Sequence, residues 1–407
     1  MKRVLHSLFL IMVLFTIVLL TSCKDYSKCI FLESSSIYLL PSEDGNSYEA
    51  YGVKDKTLDS YEIPNEYDGK PINKISYNAF QGCKNITSIV IPSNVTSIGT
   101  HAFAFCSRLT SVSLPEGIKE LKSDAFCFCY NLISVTIPSS LEKCGDAFTN
   151  CHKLVEIYNL SSCYISLRDA VIHKSLDEES ILIEDENGYI FANIRDKYYL
   201  LRYDAKDTDI VLPKSFNHKN KTITNYGIYK YAFYESQIKS VEVPDNITSV
   251  GSNAFGNSTN LESAYIKANL EKLGSSTFRL CSNLKDVELP NGLTTIDGGL
   301  FEYCTSLTKI NIPSTVTTIE YSAFKETGLK DIVIPDGVTS IEQFVFENGK
   351  LESIRIPSSV KEIGYGVFLD SRLQDIYYSG TKDMWEQIDI DSSNNEYLKK
   401  VRIHFGS

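Results

Sequence analysis

The sequence predicts a repeat solenoid, mainly β, with short irregular or helical connections between strands, arranged in two arrays. Three observations indicate this fold. Prolines recur at intervals of 22 or 23 residues, a short apolar alternation precedes most of them, and an Ala-Phe pair follows most of them. Because a single short unit cannot bury both of its apolar stretches alone, neighbouring units are expected to stack in parallel and cover each other.

Composition agrees with a copied template and excludes some partners. The chain has 407 residues and 43% apolar residues, so it can bury a sizeable core. It carries 25 Tyr and 20 Phe against one Trp and three Met, which indicates one motif repeated many times. The net charge of -11 argues against binding to nucleic acid or to an anionic membrane surface.

The N-terminus is typical of an exported protein. Lys2 and Arg3 precede an apolar run that ends in Leu20-Thr21-Ser22-Cys23. This ending resembles the bacterial lipoprotein lipobox, and the resemblance implies cleavage before Cys23, lipid attachment to that cysteine and a location outside the cytoplasm, anchored to the cell envelope. The alternative is an uncleaved membrane anchor with an incidental cysteine.

The repeat unit reads L-x-x-I-x-I-P-x-x-V-x-x-I-G-x-x-A-F-x-x-C-x-x. It can be followed through the prolines at 92, 115, 138, 244, 290, 313, 335 and 357, with one copy between 244 and 290 that has Lys267 in place of proline. Each copy predicts a short strand that ends at the proline, and then a second inward-facing stretch. We expect the phenylalanines of the Ala-Phe pairs to stack as a spine inside the solenoid.

This unit resembles the BspA-like leucine-rich repeats of bacterial surface proteins over most of residues 48 to 407. The resemblance implies a role in cell-surface interaction, such as adhesion to host proteins or to other cells. It also implies that IYYSGTKDMWEQIDI (376–390) belongs to a terminal cap in which Trp385 seals the last repeat. An open end of the array would otherwise expose apolar surface and unpaired backbone.

The repeat rhythm stops after LVEIYNLSS (154–162), where Asn187-Gly188 marks a hairpin turn between apolar runs. Tyr48 and Tyr199 each begin a similar Tyr-rich strand and charged turn, so each array is expected to start with its own hairpin. The alternative is one continuous rod that carries additional segments in its middle. The predicted organisation is a signal peptide (1–22), a polar tether (23–46), a first array with a hairpin (47–163), an inserted β-hairpin or meander (164–209), a second array (210–376) and a C-terminal cap (377–407).

The eleven cysteines are explained mainly by one position of the repeat. That position holds Cys83, Cys106, Cys129, Cys151, Cys281 and Cys304. Neighbouring repeats would place these residues within disulfide range, but parallel Cβ directions disfavour a bond, so we expect buried free thiols. Cys127 and Cys129 lack the second ligand pair of a zinc site, and no metal or cofactor is predicted.

The sequence contains no pattern that indicates catalysis. It has six histidines, and His101 and His152 fall at variable repeat positions, which favours surface loops. Gly-x-Ser-x-Gly, His-Glu-x-x-His and Gly-rich phosphate-loop motifs do not occur in it. We therefore expect a protein that is not an enzyme.

Candidate binding residues lie on the outward face of the first strand of each repeat. In the second array the side chain between the two inward aliphatics is charged, aromatic or polar in most copies, the types enriched where proteins bind proteins. The candidate ligand-binding residues are Glu242, Tyr265, Glu288, Asn311, Arg355 and Tyr377. A flanking row holds Ser240, Ser263, Asp286, Lys309, Asp331 and Ser353, whereas the first array's row is Val90, Ser113, Thr136 and Tyr158.

These observations predict a lipid-anchored surface protein that binds host or neighbouring-cell proteins through the exposed sheet face. Two other interpretations stay open. Tyr158, Tyr265 and Tyr377 would stack sugars in a glycan-binding protein, although they are widely spaced along the array. A structural envelope component would need no ligand, and its outward residues would only be solvated.

Overall fold

The computed structural model describes residues 24–165, 167 and 169–406 of the chain. The predicted signal peptide and Cys23 lie outside the described residues. Contacts between residues divide the chain into a first unit, Met1–Cys151 with Asn159–Ser166, and a second unit, His152–Tyr158 with Leu167–Ser407. None of the helices in the described ranges combines the length and the apolar composition that crossing a membrane requires.

The first unit starts with an antiparallel meander of three strands, β1 (Ile30–Leu32), β2 (Ile37–Pro41) and β3 (Tyr48–Val53). Ile37 and Leu39 of β2 are fully buried. The prediction of a tether over 23–46 is therefore wrong for this stretch. Alternate apolar residues of β2 face the core while the strand pairs on both sides, so the segment is part of the fold despite its many serines.

Parallel pairing of short strands continues through the first unit. Its further strands are β4 (Ser60–Glu62), β5 (Glu66–Tyr67), β6 (Lys70–Ile75), β7 (Ser88–Val90), β8 (Ser97–Ile98), β9 (Ser111–Ser113), β10 (Glu120–Leu121), β11 (Ser134–Ile137) and β12 (Lys143–Cys144). Strands β3, β6, β8, β10 and β12 form one parallel ladder. The first strands of the repeats pair separately, β4 with β7 and β9 with β11. Each repeat thus pairs with its neighbours through a first and a second strand, as stacking of units requires.

The second unit starts in the same way. Its first strands are β13 (Glu156–Asn159), β14 (Val171–His173), β15 (Leu182–Glu184), β16 (Tyr189–Ile194) and β17 (Lys197–Tyr203). Strands β15, β16 and β17 form an antiparallel meander, with a turn in which Asp185 N–H donates to the Tyr189 carbonyl and Gly188 has a φ of 83°. Like β3 in the first unit, β17 then pairs in parallel with the first repeat strand. The predicted domain boundaries themselves stay predictions.

The remaining strands of the second unit form several short sheets. They are β18 (Asp209–Val211), β19 (Phe216–His218), β20 (Lys221–Ile223), β21 (Tyr226–Ile228), β22 (Ser240–Val243), β23 (Ile247–Val250), β24 (Ser263–Ile266), β25 (Asp286–Glu288), β26 (Thr295–Ile296), β27 (Thr318–Ile319), β28 (Asp331–Val333), β29 (Ser340–Ile341), β30 (Ser353–Ile356), β31 (Glu362–Ile363) and β32 (Asp375–Tyr378). The first strands of the repeats form one sheet of β18-β22-β24-β25 and, further along the chain, another that contains β28-β30-β32. The second strands form a sheet that contains β17-β21-β23 and another that contains β26-β27-β29-β31, and β19 pairs antiparallel with β20. The predicted mainly β repeat solenoid is confirmed.

The phenylalanine spine predicted from the Ala-Phe pairs is present in both units. In the first unit Phe80, Phe103, Phe126 and Phe148 stack with ring centroids 4.9 to 5.6 Å apart. In the second unit the stack runs through Phe233, Phe255, Phe278, Phe301, Phe324, Phe346 and Phe368, with centroids 5.1 to 6.3 Å apart and rings within 14° of parallel. All these rings are buried. Stacked aromatic pairs add about 0.5–1.5 kcal/mol each beyond the burial of their area.

The recurring cysteine position has a polar function besides filling space. The thiol of Cys129 donates to the carbonyl of Phe103 at 3.2 Å, and Cys304 donates to Phe278 at 3.1 Å. In the copy where serine stands at this position, the Ser258 hydroxyl makes the same bond to Phe233 at 2.6 Å. Each side chain thus satisfies a buried carbonyl of the preceding repeat. The described cysteines are free, and the burial predicted for the recurring position is confirmed.

The C-terminal segment covers the end of the array and also extends it. Its elements are α1 (Lys382–Trp385), β33 (Asp389–Ile390), a 3-10 turn (Ser392–Asn394), α2 (Asn395–Leu398) and β34 (Arg402–Phe405). Thr381 caps α1 by accepting from the Met384 N–H at 3.3 Å, and the buried Trp385 packs edge-on against Tyr378 at 5.2 Å. Strand β33 pairs with β31 and β34 pairs with β32, so the segment adds one further strand to each sheet.

Candidate interaction surface

The outward side chains predicted from the strand alternation come into register in two runs, each on its own sheet of the second unit. Glu242 on β22 pairs with Tyr265 on β24, which pairs with Glu288 on β25. Further along the chain Arg355 on β30 pairs with Tyr377 on β32. We call these residues and their register partners the outward row. Its full membership is Val211, Glu242, Tyr265 and Glu288, then Val333, Arg355, Tyr377 and His404.

Asn311 is the one predicted site residue that the sheet does not bring into register. It is exposed, but it lies in a stretch that is not assigned to a strand. Five residues of the predicted flanking row are register partners: Ser240, Ser263 and Asp286 in one run and Asp331 and Ser353 in the other. Their strands also bring in Asp209 in the first run and Asp375 and Arg402 in the second. Lys309 is exposed beside Asn311 and is likewise outside a strand.

The acidic half of the outward row is held by neighbouring polar groups. The Lys267 ammonium lies 2.7 Å from the Glu242 carboxylate, and the Tyr265 hydroxyl donates to Asp286 at 2.7 Å. The hydrogen bond to Asp286 raises the pKa of Tyr265. Glu288 is exposed at the end of this run. Exposed ion pairs of this kind contribute little to stability, so the row is not explained by folding alone.

The basic half of the outward row contains a column of three stacked side chains. The Arg355 guanidinium lies 4.9 Å from the centroid of the Tyr377 ring, and that ring stacks on His404 with centroids 4.7 Å apart and planes 13° apart. Below the column, Asp375 accepts from Arg402 at 2.8 and 2.6 Å and contacts His404 at 2.8 Å. Arg402 first and His404 second lower the pKa of Asp375 to about 2.

Sequence reasoning missed one residue of this column, His404, and the two residues beside it, Asp375 and Arg402. All three lie beyond the last proline, Arg402 and His404 in the stretch interpreted as a closing cap and Asp375 just before it. The alternating residues of VRIHF (401–405) are the only sequence signal for β34. No proline and no Ala-Phe pair follow these residues, so the alternation alone does not reveal that β34 joins the array.

One histidine environment differs from expectation, and a second was not predicted at all. His152 was predicted in a surface loop, but its ring is half-buried and stacks on Tyr231 with centroids 4.4 Å apart, and burial lowers its pKa to about 4. His173 and Glu156 are both buried, 3.2 Å apart. The Glu156 carboxylate also accepts from the Ile181 N–H at 2.9 Å and from the Ser180 hydroxyl at 3.1 Å. These hydrogen bonds connect β13 to the segment just before β15.

Metal binding finds no support in the described part of the chain. Among the residues placed by the structure, no group of three or more His, Cys, Asp or Glu side chains is arranged to hold an ion. Cys127 and Cys129, the pair that suggested a zinc site, are both buried. The Cys129 thiol is used in its bond to Phe103.

The fold and the outward row define a β-solenoid repeat protein with an exposed, chemically varied sheet face. The chain belongs to the family of the BspA type leucine rich repeat region, which matches residues 73–194, 213–328 and 317–404 in six copies. This assignment covers both units. It agrees with the resemblance seen in the repeat motif itself.

Solved structures with this repeat are also similar to the chain. A leucine-rich repeat protein from Bacteroides ovatus is 22% identical, with 92% of this chain and 99% of that one covered and a TM-score of 0.39. A leucine rich cell surface protein from Faecalibacterium prausnitzii is 20% identical, with 90% and 99% covered and a TM-score of 0.35. The pneumococcal vaccine antigen PcpA is 16% identical, with 94% and 100% covered and a TM-score of 0.33. No curated protein matches the chain.

Proposed function

We propose that this chain is a lipid-anchored cell-surface protein, without enzymatic activity, that binds a protein of a host or a neighbouring cell through the outward row. The observation that carries the proposal is the pair of in-register runs of exposed and half-exposed charged and aromatic side chains on the second unit. Relatives described as surface proteins and the lipobox at Cys23 support a location outside the cytoplasm.

The stacked column is suited to binding because it is ordered before a partner arrives. Arg355, Tyr377 and His404 are held in place by one another and by their strands. Immobilising flexible side chains on binding costs free energy, and a preformed stack avoids much of that cost. Arg and Tyr are also the residues that most often dominate the binding energy of protein interfaces.

Charge reversal on the outward row is expected to abolish partner binding. Glu288→Lys and Arg355→Glu should each weaken binding at least ~30-fold, which is the size of a hot-spot contact of about 2 kcal/mol. The experiment is a pull-down with the protein starting at Lys24 against extracellular-matrix proteins and cell-wall glycans, followed by affinity measurement for any captured partner. Thr136→Lys, at the equivalent position on β11 of the first unit, is the matched control and should bind normally.

The same measurement separates the alternatives. A glycan-binding protein would be identified if the original chain captured a glycan and no protein, and if Tyr265→Ala and Tyr377→Ala abolished the glycan binding. Capture of nothing by either class of probe would leave a structural envelope component. A protein partner that binds both charge-reversal variants as well as the original chain would show that the outward row is not the binding surface.

Lipid anchoring has its own test. We expect labelled palmitate to be incorporated into the full chain when it is expressed in a bacterial host, and Cys23→Ala to abolish the incorporation. An uncleaved anchor with an incidental cysteine would show no incorporation in the original chain either. Label that persists in the Cys23→Ala protein would contradict the proposal.

A further inference from the structure

The segment that follows Cys23 is packed onto the outer side of the first unit's meander. Lys24 is the next residue in the chain, and consecutive Cα atoms are about 3.8 Å apart. Its ammonium donates to the Tyr51 carbonyl and lies 4.2 Å from the centroid of the Tyr51 ring and 4.6 Å from that of the Tyr77 ring. Burial of the ammonium lowers the pKa of Lys24 to about 8. The fold therefore begins one residue after the predicted site of lipid attachment.

A glycine makes room for a second side chain of this segment. Tyr26 lies over Gly52, where a Cβ would be 2.6 Å from the Tyr26 hydroxyl oxygen and 3.2 Å from a carbon of its ring. The Tyr26 ring also contacts Tyr38 and Tyr51, with centroids 4.5 and 5.5 Å apart. The Cys29 N–H donates to the Tyr26 carbonyl at 3.0 Å and closes the turn before β1. The segment is thus held against the sheet by its own side chains and backbone.

We call this group of side chains the anchor clamp; it consists of Lys24, Tyr26, Tyr38, Tyr51 and Tyr77. Two of its tyrosines are partly open to solvent, since 38% of Tyr26 and 50% of Tyr77 is exposed. A tyrosine combines an apolar ring with a polar tip, and in membrane proteins this residue is enriched at the level of the lipid headgroups. Exposed rings beside a lipid anchor are therefore suited to contact a layer of phospholipid headgroups.

The anchor clamp removes the slack that a tether would provide. A free chain over the predicted tether (23–46) would have an end-to-end distance of roughly 25–30 Å. With Lys24 clamped, only about 4 Å of chain separates the predicted lipid-bearing residue from the fold. That distance is less than the thickness of one headgroup layer, which is roughly 5–7 Å. When acyl chains on Cys23 enter a bilayer, the clamp must therefore lie at the level of the headgroups.

Attraction between charges is not needed for this contact. The exposed residues that flank Tyr26 include Asp25 and Lys28, and Lys54 and Asp55 follow directly after β3. These two basic and two acidic side chains balance one another, so the surface has no strong preference for anionic lipids. The attached lipid, and not adsorption by charge, brings the clamp to the membrane, and uncharged phosphatidylcholine headgroups are sufficient for it.

We propose that the anchor clamp seats the first unit directly on the headgroup layer of the membrane, so that the protein is not carried on a flexible tether. The inference rests on the lipid attachment proposed for Cys23. Tyr26 and Tyr77 contact the headgroups through their exposed parts. Lys24, Tyr38 and Tyr51 fix the chain beneath them, so the acyl chains and the folded unit are joined without a freely moving segment.

The test is hydroxyl-radical footprinting, read by mass spectrometry, of the lipidated chain in phosphatidylcholine vesicles and of the soluble protein starting at Lys24. Oxidation of Tyr26 and Tyr77 should be about threefold or more lower on vesicles, since the headgroup layer shields the rings from radicals in the water. Tyr164 is the internal control: it is 88% exposed, it lies next to Cys163 at the β12 end of the first unit, and it should be oxidised equally in both samples. Unchanged oxidation of Tyr26 and Tyr77, or equal protection of Tyr164, would overturn the proposal.

An inserted tether tests the cause of the protection. A Gly/Ser linker of about 20 residues between Cys23 and Lys24 adds roughly 25 Å of reach. The variant should keep its lipid, its binding to vesicles and its melting temperature, while the oxidation of Tyr26 and Tyr77 returns to that of the soluble protein. The same linker appended at the C-terminus is the matched control and should leave the protection unchanged. Protection that persists with the inserted linker would contradict the role of the clamp.

The experiment separates failure of this proposal from failure of the proposed function. The mass of the N-terminal peptide shows whether Cys23 carries lipid. A chain without lipid would overturn both the anchoring and the seating on the membrane. A lipidated chain in which Tyr26 and Tyr77 are oxidised as in the soluble protein would overturn the seating alone and leave the lipid anchor in place.

Discussion

Phe301→Ala is expected to lower the free energy of unfolding of the second unit by about 3–5 kcal/mol, the usual cost of removing a fully buried aromatic ring. The Phe301 ring is completely buried. It lies between Phe278, at 5.7 Å and 3° from parallel, and Phe324, at 5.6 Å and 11°. One substitution thus removes two ring stacks and leaves a cavity that the rigid backbone of the neighbouring repeats cannot close.

The loss should be concentrated next to the substitution. In a repeat array each unit contacts only its neighbours, so stability is lost at the two adjoining interfaces before it is lost elsewhere. Urea unfolding measures the total change, and hydrogen exchange locates it. We expect faster exchange at the amides that join these repeats, namely Phe278 to the Leu300 carbonyl and Phe301 to the Ala323 carbonyl.

Tyr365→Ala is the matched control, because this aromatic ring is half exposed and contacts Phe344 only at its edge. It should cost less than a third of the Phe301 effect. A Phe301→Ala protein as stable as the control, or one whose exchange increases uniformly over all repeats, would mean that the phenylalanine stack does not hold the array together.

The repeats were predictable because their structure is periodic. A position that must be apolar in every copy, such as that of Phe103 and Phe255, stands out without any knowledge of tertiary contacts. Phe278 and Phe301 stand in copies that lack the alanine and were not part of that prediction, but they occupy the same place in the stack. Periodicity also indicated the outward row, because residues between two inward side chains of a strand must point the other way.

The antiparallel meander of the first unit was not predictable in the same way. Strands β1 and β2 occur once in that unit, and their polar turns hide the alternation of Ile37 and Leu39. Their place in the fold depends on pairing with β3, a contact between segments that share no motif. The same holds for β34, whose pairing with β32 brings His404 onto Tyr377.

The contact between Tyr199 and Gly227 depends on still less local information. The Tyr199 ring packs over Gly227, and this packing does not follow from the repeat pattern. A glycine in a short strand has many explanations. Only the position of its register partner shows that this glycine makes room for a ring.

Buried charge is the other feature that the repeat pattern does not reveal, and Lys153 is the clearest case. Its residue is 1% exposed, and its ammonium donates to the Ala232 carbonyl at 2.8 Å. Burial, with a smaller contribution from the charge of Arg202, lowers the pKa of Lys153 from 10.5 to about 7. The folded chain therefore binds this proton much more weakly than the unfolded chain does.

The different pKa values of Lys153 in the folded and unfolded chain make the free energy of unfolding depend on pH. Below pH 7 the lysine is charged in both states, and the folded state carries the full cost of burying the charge. Between pH 7 and 10.5 the unfolded chain holds a proton that the folded chain has released, so stability rises with pH and the cost disappears above 10.5. The gap between the two pKa values corresponds to roughly 3–6 kcal/mol.

Lys153→Met is accordingly expected to stabilise the second unit by several kcal/mol at pH 6, since it removes the buried charge and keeps a side chain of similar length. Near pH 10 the advantage should shrink to almost nothing, because most of the cost of burial is gone there and the neutral lysine still donates to Ala232 whereas methionine does not. Urea unfolding of both proteins at pH 6, 8 and 10 gives the difference at each pH.

Comparison with an exposed lysine isolates the role of burial. Lys239→Met changes the same chemical group on the surface of the second unit, so its effect on unfolding should be small and nearly the same at all three pH values. A Lys153→Met protein that follows this flat profile would show that the lysine stays protonated in the folded chain over the whole range. A loss of stability at pH 6 would show that the charged form is stabilised by its surroundings, contrary to the cost argued from its burial.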